Sequence, residues 1–287
     1  MGRAKEIIVK VIPAKIANEF IKKTHYSGKV ANNSSLHFGA FLDGKLHGVL
    51  SYGSPLDKSK VLPLVDSGDK TKNEKWNEML ELNRMAFDEY LPKYSESRCI
   101  AISIKLIKKN APQIKWLLSF SDGTQCGDGT IYRASGFYLT QIKSSENDLW
   151  ELPKELSHLS KGKPTVHRIT IQCGTSLISK WVMNKYRRFT IPLEQLQKEN
   201  GGKLQSGNQL RYIYLIDKTC KITAPIIPFS KIDELGAGMY KGKKITLLER
   251  KKQAELHHVG DDDSYQNQGA FDSTVPLKSV EKQLNGQ

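Results

Sequence analysis

Residues 114–137 read IKWLLSFSDGTQCGDGTIYRASGF, and their pattern is the clearest indication of the fold class. Its first seven residues form a near-continuous apolar run, which is typical of a strand buried on both faces. The glycine-rich SDGTQCGDG segment then makes a turn, and Asp128 is placed to cap a short helix, TIYRAS, which Gly136 ends. A second strand, FYLTQIK, follows at residues 137–143. Strand, helix and strand in succession predict a mixed α/β protein.

The chain before this stretch also alternates strands and helices. A β-branched run at residues 7–12 predicts a strand, and the apolar spacing in AKIANEFIKK predicts a helix after it. The runs LHFGAFL and LHGVLSY flank Asp43-Gly44, a dipeptide that tolerates positive φ, so they predict a hairpin with a two-residue turn.

A third strand is predicted at residues 80–87, LELNRMAF. Alternation along this strand puts Leu82, Arg84 and Ala86 on one face, so Arg84 would share a face with apolar neighbours. Two further elements are predicted downstream. The first is a helix with Ser95 or Ser97 as its N-cap and with Ile100, Ile104 and Ile107 on one side. The second is a strand at LRYIYLI, residues 210–216.

The composition favours a binder of polyanions. The 287 residues hold 44 Lys plus Arg and 30 Asp plus Glu, so the formal charge is 44 − 30 = +14, and such an excess attracts nucleic acid. Residues 151–221 hold 13 Lys plus Arg and 5 Asp plus Glu, or +8, which is over half of the excess. No stretch approaches the roughly 18 apolar residues of a membrane span, and the start lacks a secretory apolar core. We expect a soluble protein with no membrane partner.

Cysteine and histidine spacing does not indicate a metal centre. The four cysteines form no C-x-x-C pair and are interpreted as free thiols of a reducing compartment: Cys99, Cys126, Cys173 and Cys220. Cys126 lies in the glycine-rich turn without a neighbouring His or Lys to activate it, which argues against a covalent role. His25 and His37 have no second histidine at ligand spacing, so polar histidines are favoured, and a metal requirement stays open.

The order strand, helix, hairpin, strand, helix, strand, helix, strand resembles the GNAT acyltransferase fold. That family has a short helix ending Y-x-x-x-G-F, and residues 132–137 read YRASGF. The resemblance implies a central mixed sheet flanked by helices. The glycine-rich loop that opens the central helix in acyl-coenzyme A enzymes is absent, since residues 91–99 read LPKYSESRC. An ordinary acetyl-coenzyme A enzyme is therefore disfavoured.

A narrower resemblance extends from about residue 24 to residue 240. The chain resembles the phage Mom family of DNA-modification proteins in the strings THYSGKV, FGAFLDGKLHGVLSYGSP, WNEMLELNRMAF, SESR, IKWLLSFSDGTQCGDGTIYRASGF, LRYIYLID and PIIPFSKIDELGAGMY. That family converts adenine in DNA to N6-carbamoylmethyladenine, which shields phage DNA from host restriction enzymes. The resemblance therefore implies a GNAT-like transferase acting on double-stranded DNA in the cytoplasm of a bacterial host.

The implied reaction needs a proton acceptor and a cation. Adenine's exocyclic amine is a poor nucleophile, so a catalyst must hold it, accept its proton and stabilise charge on the group attacked. Asp122, at the end of the buried strand, is our candidate for proton acceptor or amine anchor; the alternative is a turn-forming Asp before Gly123. Arg84 is our candidate to pair with Asp122 or to polarise a donor carbonyl; the alternative is an internal salt bridge.

Two tyrosines complete the candidate catalytic set. Tyr132 matches the position at which GNAT enzymes often place a tyrosine that protonates the leaving group; the alternative is a tyrosine at the edge of the core. Tyr26 lies in the loop after the first helix and is a candidate to stack on an adenine flipped out of the duplex. His25 and Ser27, on either side of it, are candidate substrate contacts.

The basic segment, residues 151–221, is the candidate DNA-binding region, because it interleaves cations with aromatic residues. The alternative is an ordinary solvated face. The candidate DNA-binding residues are Lys180, Lys185, Tyr186, Arg187 and Arg188, with Trp181 between them.

Binding of the group donor is assigned to two backbone features. The first turn of the central helix could present amides to an anion, and the glycine-rich turn could form an anion nest; a tight strand-to-helix turn is the equal alternative for the latter. The candidate residues are Ser95, Ser97, Arg98, Gly127 and Gly129. The donor itself is unidentified, either an acyl-coenzyme A-like molecule or another acyl or aminoacyl donor, small or carrier-linked.

We expect one elaborated domain. Residues 1–220 would form the GNAT-like catalytic domain with a basic insertion at about 146–207, residues 221–250 an extension packing on the core, and residues 251–287 a flexible, disordered tail. Two other functions stay open: a conventional acetyl-coenzyme A-dependent N-acetyltransferase, and a non-catalytic DNA-binding protein. No feature of the sequence indicates the oligomeric state.

Overall fold

A computed structural model describes residues 3–123, 127–160, 165–240, 243–249 and 252 of the chain. The strands are β1 (Ile8–Val11), β2 (Ser34–Leu42), β3 (Lys45–Gly53), β4 (Val65–Asp66), β5 (Met79–Phe87), β6 (Trp116–Asp122), β7 (Tyr138–Glu151), β8 (Thr165–His167), β9 (Lys203–Leu215), β10 (Lys221–Ile222), β11 (Met239–Tyr240) and β12 (Lys243–Lys244). The helices are α1 (Ala14–Thr24), α2 (Lys58–Val61), α3 (Lys72–Asn77), α4 (Ser95–Asn110), α5 (Thr130–Ala134), α6 (Arg168–Gln172), α7 (Leu177–Tyr186), α8 (Leu193–Asn200) and α9 (Ser230–Glu234).

Eight strands form one mixed sheet in the order β1-β2-β3-β5-β6-β9-β7-β8. Neighbours run antiparallel except β5 and β6, which are parallel because α4 crosses over between them. Two small ladders, β4 with β10 and β11 with β12, stand apart from this sheet. The expected fold class, a central mixed sheet flanked by helices in the GNAT-like order of elements, is confirmed.

The predicted hairpin is confirmed at its turn. Asp43 and Gly44 both have positive φ, 51° and 74°, between β2 and β3. This backbone matches the right-handed twist of the paired strands, and an Asp-Gly pair adopts it at little cost.

Helices cover the two faces of the sheet differently. On one face, which we name the α1 face, Ala17 and Ile21 of α1 pack with Val49 and Ala86 of the sheet. On the opposite face, which we name the α4 face, the main core joins α4, α5 and α9 to the strands; its buried residues include Leu82, Ile100, Ile104, Leu117, Tyr132, Tyr212 and Ile232.

The predicted face of Leu82 is wrong, because β5 contains a bulge at Asn83. Arg84 pairs with Ser51 of β3, but Leu82 pairs with the next residue, Tyr52, so Asn83 is an extra residue in β5. A bulge breaks the two-residue alternation. Leu82 therefore lies on the α4 face, whereas Arg84 lies on the α1 face.

Both predicted serine caps of the central helix are also wrong. Tyr94, in a left-handed conformation with φ 69°, is the N-cap of α4, and Ser95 is already its first helical residue. The serine hydroxyls instead donate to backbone carbonyls of the preceding turn, Ser95 to Pro92 and Ser97 to Tyr94.

Asp128 does not cap α5, whose N-cap is Gly129. One carboxylate oxygen accepts from the Thr130 hydroxyl and the other from the Met239 backbone N–H, at 2.9 and 3.2 Å. The Asp128 N–H in turn donates to the Met239 carbonyl at 3.1 Å. Asp128 thus fastens the C-terminal segment to the glycine-rich turn.

The basic insertion has its own apolar core. Strands β7 and β9 continue as an antiparallel pair to Glu151 and Lys203, beyond their predicted ends, and carry β8 and helices α6 to α8. Strand β8 ends at His167, and α6 begins at the next residue, Arg168. Each element contributes only a few apolar residues, so the sequence of the insertion has no clear hydrophobic periodicity. The buried residues of the insertion are Trp150, Leu152, Val166, Ile171, Ile178, Val182, Ile191, Leu193 and Leu196.

Among the described residues, no helix is long and apolar enough to cross a membrane. The proposed domain boundaries stay predictions. Most of the expected C-terminal tail, residues 253–287, lies outside the described part of the chain, as does Cys126.

Candidate active site between the α1 loop and strand β6

The loop after α1 is held in one conformation by its own polar groups. His25 ends the helix by donating its N–H to the Ile21 carbonyl. Its ring nitrogen Nδ1 accepts from the Ser27 backbone N–H at 3.1 Å and lies 2.8 Å from the Ser27 hydroxyl oxygen. Tyr26 packs against the His25 ring in a tilted arrangement, with centroids 4.3 Å apart, and keeps 52% of its surface exposed. The loop therefore presents an aromatic ring to solvent.

Tyr26 and Asp122 meet across 96 residues of sequence. The Tyr26 hydroxyl donates to Oδ2 of Asp122 at 3.3 Å. Alternation along β6 puts Asp122 on the face of Leu118, which packs with Met79 and Trp116 in a second buried cluster on the α1 face. Two of the four predicted catalytic residues are thus brought together on the α1 face.

The sheet opens beside Asp122. Residues 79–82 of β5 pair with residues 116–119 of β6, and the parallel register ends there although both strands are described to their ends. The last residues of β6 continue to pair with β9. A gap between β5 and β6 therefore begins at the Asn83 bulge and reaches Asp122, the predicted proton acceptor.

Arg84 lines the α1 side of this gap. Its Nε donates to the Lys29 carbonyl at 3.1 Å and its Nη1 to the Asn83 carbonyl at 2.6 Å. These two bonds join the bulge to the loop that carries Tyr26. Burial, together with the positive charge of Arg84, lowers the pKa of His25 to about 4, so the imidazole is neutral at neutral pH.

Glu81 is a site residue that the sequence analysis missed. The bulge puts Glu81 and Arg84 on the same face although they are three residues apart. Burial raises the pKa of Glu81 to about 7, and the positive charge of Arg84 opposes this shift. In the sequence LELNR, strict alternation assigns Glu81 to the face opposite Leu82. Alternation alone would place Arg84 on the face of Leu82, but the bulge at Asn83 places Arg84 on the face of Glu81.

Tyr132 lies on the other face of the sheet. It packs in the main core against Tyr212 and Phe137, with ring centroids 5.1 and 5.4 Å apart. Leu117 of β6 belongs to that core and Leu118 does not, so Tyr132 and Asp122 are on opposite sides of the β5–β6 gap. The predicted role in protonating a leaving group stays a prediction, and it requires a ligand that reaches through the gap.

The candidate donor-binding residues lie on the α4 face or at its edge. Ser95 is buried, and Arg98 donates from Nη2 to the Lys5 carbonyl at 3.1 Å. Gly129 has φ 80° and its Cα faces the Tyr212 ring, while the Gly127 carbonyl accepts from Ser121. These contacts are those of a tight turn, and anion binding by the loop stays a prediction.

The candidate DNA-binding residues lie on α7 and its C-terminal end. The Lys185 ammonium lies over the Trp181 and Tyr186 rings, 5.2 and 5.4 Å from their centroids, and both aromatics pack on the insertion core. Their rings are thus engaged within the insertion. Four cations remain on its surface: Lys180, Lys185, Arg187 and Arg188.

No three His, Cys, Asp or Glu side chains in the described part of the chain come together as a metal site. His37 lies instead on β2, where its Nδ1 is 2.8 Å from the Ser51 hydroxyl oxygen of β3. Burial lowers the pKa of His37.

His167, the last residue of β8, is the N-cap of α6, and its Nδ1 accepts from the Ile169 backbone N–H at 3.1 Å. Burial lowers its pKa; Asp148 and Asp122 raise it, and Arg168 and Lys29 lower it.

Comparisons with known proteins agree with the motifs. The methylcarbamoylase Mom of Escherichia phage Mu is 37% identical over 156 residues, which are 54% of this chain and 61% of that protein. An acetyltransferase of Bacillus subtilis in complex with CoA aligns at a TM-score of 0.36 and 10% identity, covering 73% of this chain and 98% of that one. The IAA acetyltransferase of Bacillus cereus aligns at 0.37 and 12%, covering 73% and 99%.

Both TM-scores are below 0.5, so the fold rests on the strand order described above. The aligned region spans 61% of the curated relative's length. The family model for the Mom protein family matches residues 6–231, which is more than three quarters of the 287 residues. The chain belongs to the Mom protein family.

Proposed function

We propose that this protein is a DNA-modifying transferase that converts adenine in DNA to N6-carbamoylmethyladenine and so protects phage DNA from host restriction enzymes. Membership of the Mom protein family supports this proposal, as does the name methylcarbamoylase of the phage Mu relative. The charge of +14 favours a polyanionic substrate.

The contact between Tyr26 and Asp122 carries the proposal. It places an exposed aromatic ring against a carboxylate at the mouth of the β5–β6 gap, which is the pair of groups that an extruded adenine requires. The ring would stack on the base, and the carboxylate would accept from its exocyclic amine.

The transfer step follows from these positions. The adenine N6 attacks the electrophilic carbon of the carbamoylmethyl donor, and a new N–C bond forms. The bond to the leaving group breaks and its electron pair departs with that group. The N6 proton passes to Asp122, and Arg84 stabilises negative charge that develops on the donor side. Tyr132, across the gap, would supply a proton to the leaving group.

Acceptor and donor would approach from opposite faces of the sheet. Adenine would enter on the α1 face, beside Tyr26, while the donor would bind on the α4 face near the first turn of α4. The chemical class of the donor stays open between an acyl-coenzyme A-like molecule and another acyl or aminoacyl donor. The cations near α7 of the insertion would contact the duplex. The protein would act in the cytoplasm of the bacterial host.

Mass spectrometry of nucleosides from the DNA of expressing cells tests the proposal. Wild-type protein should yield N6-carbamoylmethyl-2′-deoxyadenosine, and Asp122→Asn should reduce it by about 100-fold or more, because a positioned base commonly contributes that much. Asp217→Asn is the control, since Asp217 pairs with Lys115 near the opposite ends of β6 and β9. Equal yields from wild type and Asp122→Asn would remove Asp122 from the mechanism.

Two other outcomes would replace the proposed function. Unmodified nucleosides together with tight acetyl-coenzyme A binding in calorimetry would indicate a conventional acetyltransferase. Unmodified nucleosides with DNA binding alone would indicate a non-catalytic DNA-binding protein.

A further inference from the structure

Strand β9 brings an arginine to the α1 face, next to the candidate active site. Arg211 pairs with Phe120 of β6, and Asp122 is two residues further along β6. Alternation along β9 puts Arg211 on the face of Ile213, which packs with Leu118 in the second buried cluster on the α1 face. Diagonal neighbours in an antiparallel pair lie about 7–8 Å apart. The backbone of Arg211 is therefore one such step from that of Asp122, on the same face of the sheet.

A bulge in β7 fixes the orientation of the Arg211 side chain. Thr140 is an extra residue in β7, because Leu139 and Gln141 pair with successive residues of β9. The Arg211 Nε donates to the Thr140 hydroxyl oxygen at 3.0 Å, and its Nη2 donates to the Thr140 carbonyl at 3.3 Å. Bulges beside active sites commonly re-aim a side chain in this way. These two bonds hold the guanidinium in place and leave Nη1 without a partner among the described residues.

The charge of Arg211 has no acidic counterpart in the described part of the chain. Both of its bonds are to neutral oxygens, and no described carboxylate lies within ion-pair distance of the guanidinium. Burial lowers the pKa of Arg211, and no described carboxylate raises it, although a guanidinium stays ionised in proteins. A partly buried charge is costly unless an anion lies close to it. The guanidinium is therefore suited to an anion that a ligand brings.

Under the proposed function, the anions that reach the α1 face are DNA phosphates. Strand β9 lies between β6, which carries Asp122, and β7, which carries Thr140. The guanidinium bonded to Thr140 is therefore about 10 Å, or two strand spacings, from Asp122. The base and the phosphate of one nucleotide are likewise separated by the sugar, so Arg211 and Asp122 can contact the same flipped nucleotide.

Building on the proposed function, we propose that Arg211 binds a phosphate next to the target adenine while Asp122 holds the exocyclic amine. Arginine suits this contact because its planar fork matches the geometry of a phosphate. Arg211 is then a substrate-binding residue for the flipped nucleotide, separate from the cations of the insertion. Two other roles compete with this one: binding of an anionic group donor, and support of the Thr140 bulge alone.

Neutral methylphosphonates test the contact one phosphate at a time. The probe is a DNA duplex with one unpaired adenine, in which each phosphate near that adenine is replaced in turn, and binding is measured without the group donor. Wild-type protein should bind about tenfold or more weakly when one particular phosphate is neutralised, which is the worth of a hydrogen bond to a charged group. The other replacements should have smaller effects, because they remove only screened long-range attraction.

Arg211→Gln should lose the response to that one phosphate. The variant should bind the unmodified duplex about tenfold or more weakly than the wild type, and neutralising the same phosphate should weaken its binding no further. Its responses at the other phosphates should match those of the wild type. A side chain that only supports the bulge would not change the response at a single phosphate, so the pattern separates the two roles.

Two further variants control for charge and for folding. Lys221→Gln removes one positive charge from β10, which pairs with β4 outside the main sheet, and it should keep the wild-type response at every phosphate. Arg211→Lys keeps the charge and should keep the response at the same phosphate, with weaker binding. The melting temperature of each variant shows whether it is folded.

Equal responses of wild type and Arg211→Gln at every phosphate overturn the inference and leave the proposed function standing. A wild-type protein that responds equally to all neighbouring phosphates also overturns it, whether or not the variants fold. Wild-type DNA binding by Arg211→Gln, with less modified adenine in expressing cells, would assign the guanidinium to the donor instead. Unmodified DNA from cells with wild-type protein, with the phosphate response intact, refutes the proposed function and leaves Arg211 as a DNA contact.

Discussion

At the scale of single residues, Glu81 shows how a backbone irregularity creates a titratable group at the site. Its carboxyl group is held on the α1 face beside Arg84 by the Asn83 bulge, and burial raises its pKa to about 7. A carboxyl group whose pKa is raised in the folded state favours folding when it is protonated. Its contribution to stability is therefore complete below the unfolded pKa, about 4.3, and is lost as the pH rises to about 7.

Glu81→Gln should remove this pH dependence. Glutamine resembles the protonated acid, so the variant should be more stable than the wild type at pH 8 and nearly equal to it at pH 4. Denaturant unfolding at a series of pH values measures the difference. His25 acts in the opposite sense, because its lowered pKa makes its contribution to stability fall as the pH drops from 6.5 to about 4. Both proteins contain His25, so this contribution cancels in the difference between their free energies of unfolding.

The same titration at the exposed Glu19 of α1 is the control, and Glu19→Gln should follow the wild type throughout. A constant stability difference between Glu81→Gln and wild type across the whole pH range would show that the effect is packing and not ionisation.

At the scale of elements, two turns with similar backbones differ in what surrounds them. Gly129 and Gly44 have φ of 80° and 74°. A Cβ at Gly129 would lie 2.5 Å from the Tyr212 ring, whereas nothing lies within 4 Å of one at Gly44. The first turn joins β6 to α5 inside the core and the second closes an exposed hairpin.

Gly129→Ala should therefore cost more than Gly44→Ala. Left-handed backbone costs an ordinary residue about 1–2 kcal/mol, and overpacking a core adds about 1–3 kcal/mol. We expect a loss in the free energy of unfolding of about 2–5 kcal/mol at Gly129 and about 1–2 kcal/mol at Gly44, measured by urea denaturation. Equal losses at both positions would mean that the Tyr212 ring moves aside without cost.

At the scale of the molecule, the positive charge is concentrated in a unit with its own core. The insertion buries Trp150, Val182 and Leu196 among others, and its four cations near α7 remain on the surface. The aromatic residues Trp181 and Tyr186 pack beneath Lys185. For the proposed DNA contact, this arrangement favours binding of phosphates by the insertion over stacking on bases.

Arg187→Ala/Arg188→Ala should weaken DNA binding mainly at low salt. Each phosphate contact contributes about 0.9 to the slope of log K against log salt concentration, so loss of two contacts should reduce the slope by about 1.8 for any DNA sequence. Lys108→Ala/Lys109→Ala, at the exposed end of α4, is the control of equal charge. A slope that falls equally in both variants would assign the effect to net charge alone.

Local patterns in the sequence predicted most elements of the core. The Asp43-Gly44 turn, the apolar run of β6 and the apolar spacing of α1 and α4 depend on neighbours within a few residues, so they are readable from the chain. The predicted caps were wrong for two reasons: Asp128 accepts from the distant Met239 N–H, and the Ser95 hydroxyl donates back to the Pro92 carbonyl.

The alternation of strands and helices, the family, the excess of positive charge and the candidates Tyr26, Arg84 and Asp122 could all be predicted from the chain. Their combination depends on the folded structure, which provides the Tyr26–Asp122 contact, the bulge that aligns Glu81 with Arg84, and the separation of Tyr132 by the sheet. The reason is physical, because strand register, bulges and contacts between distant segments are set by packing of the whole chain and leave no local period in the sequence.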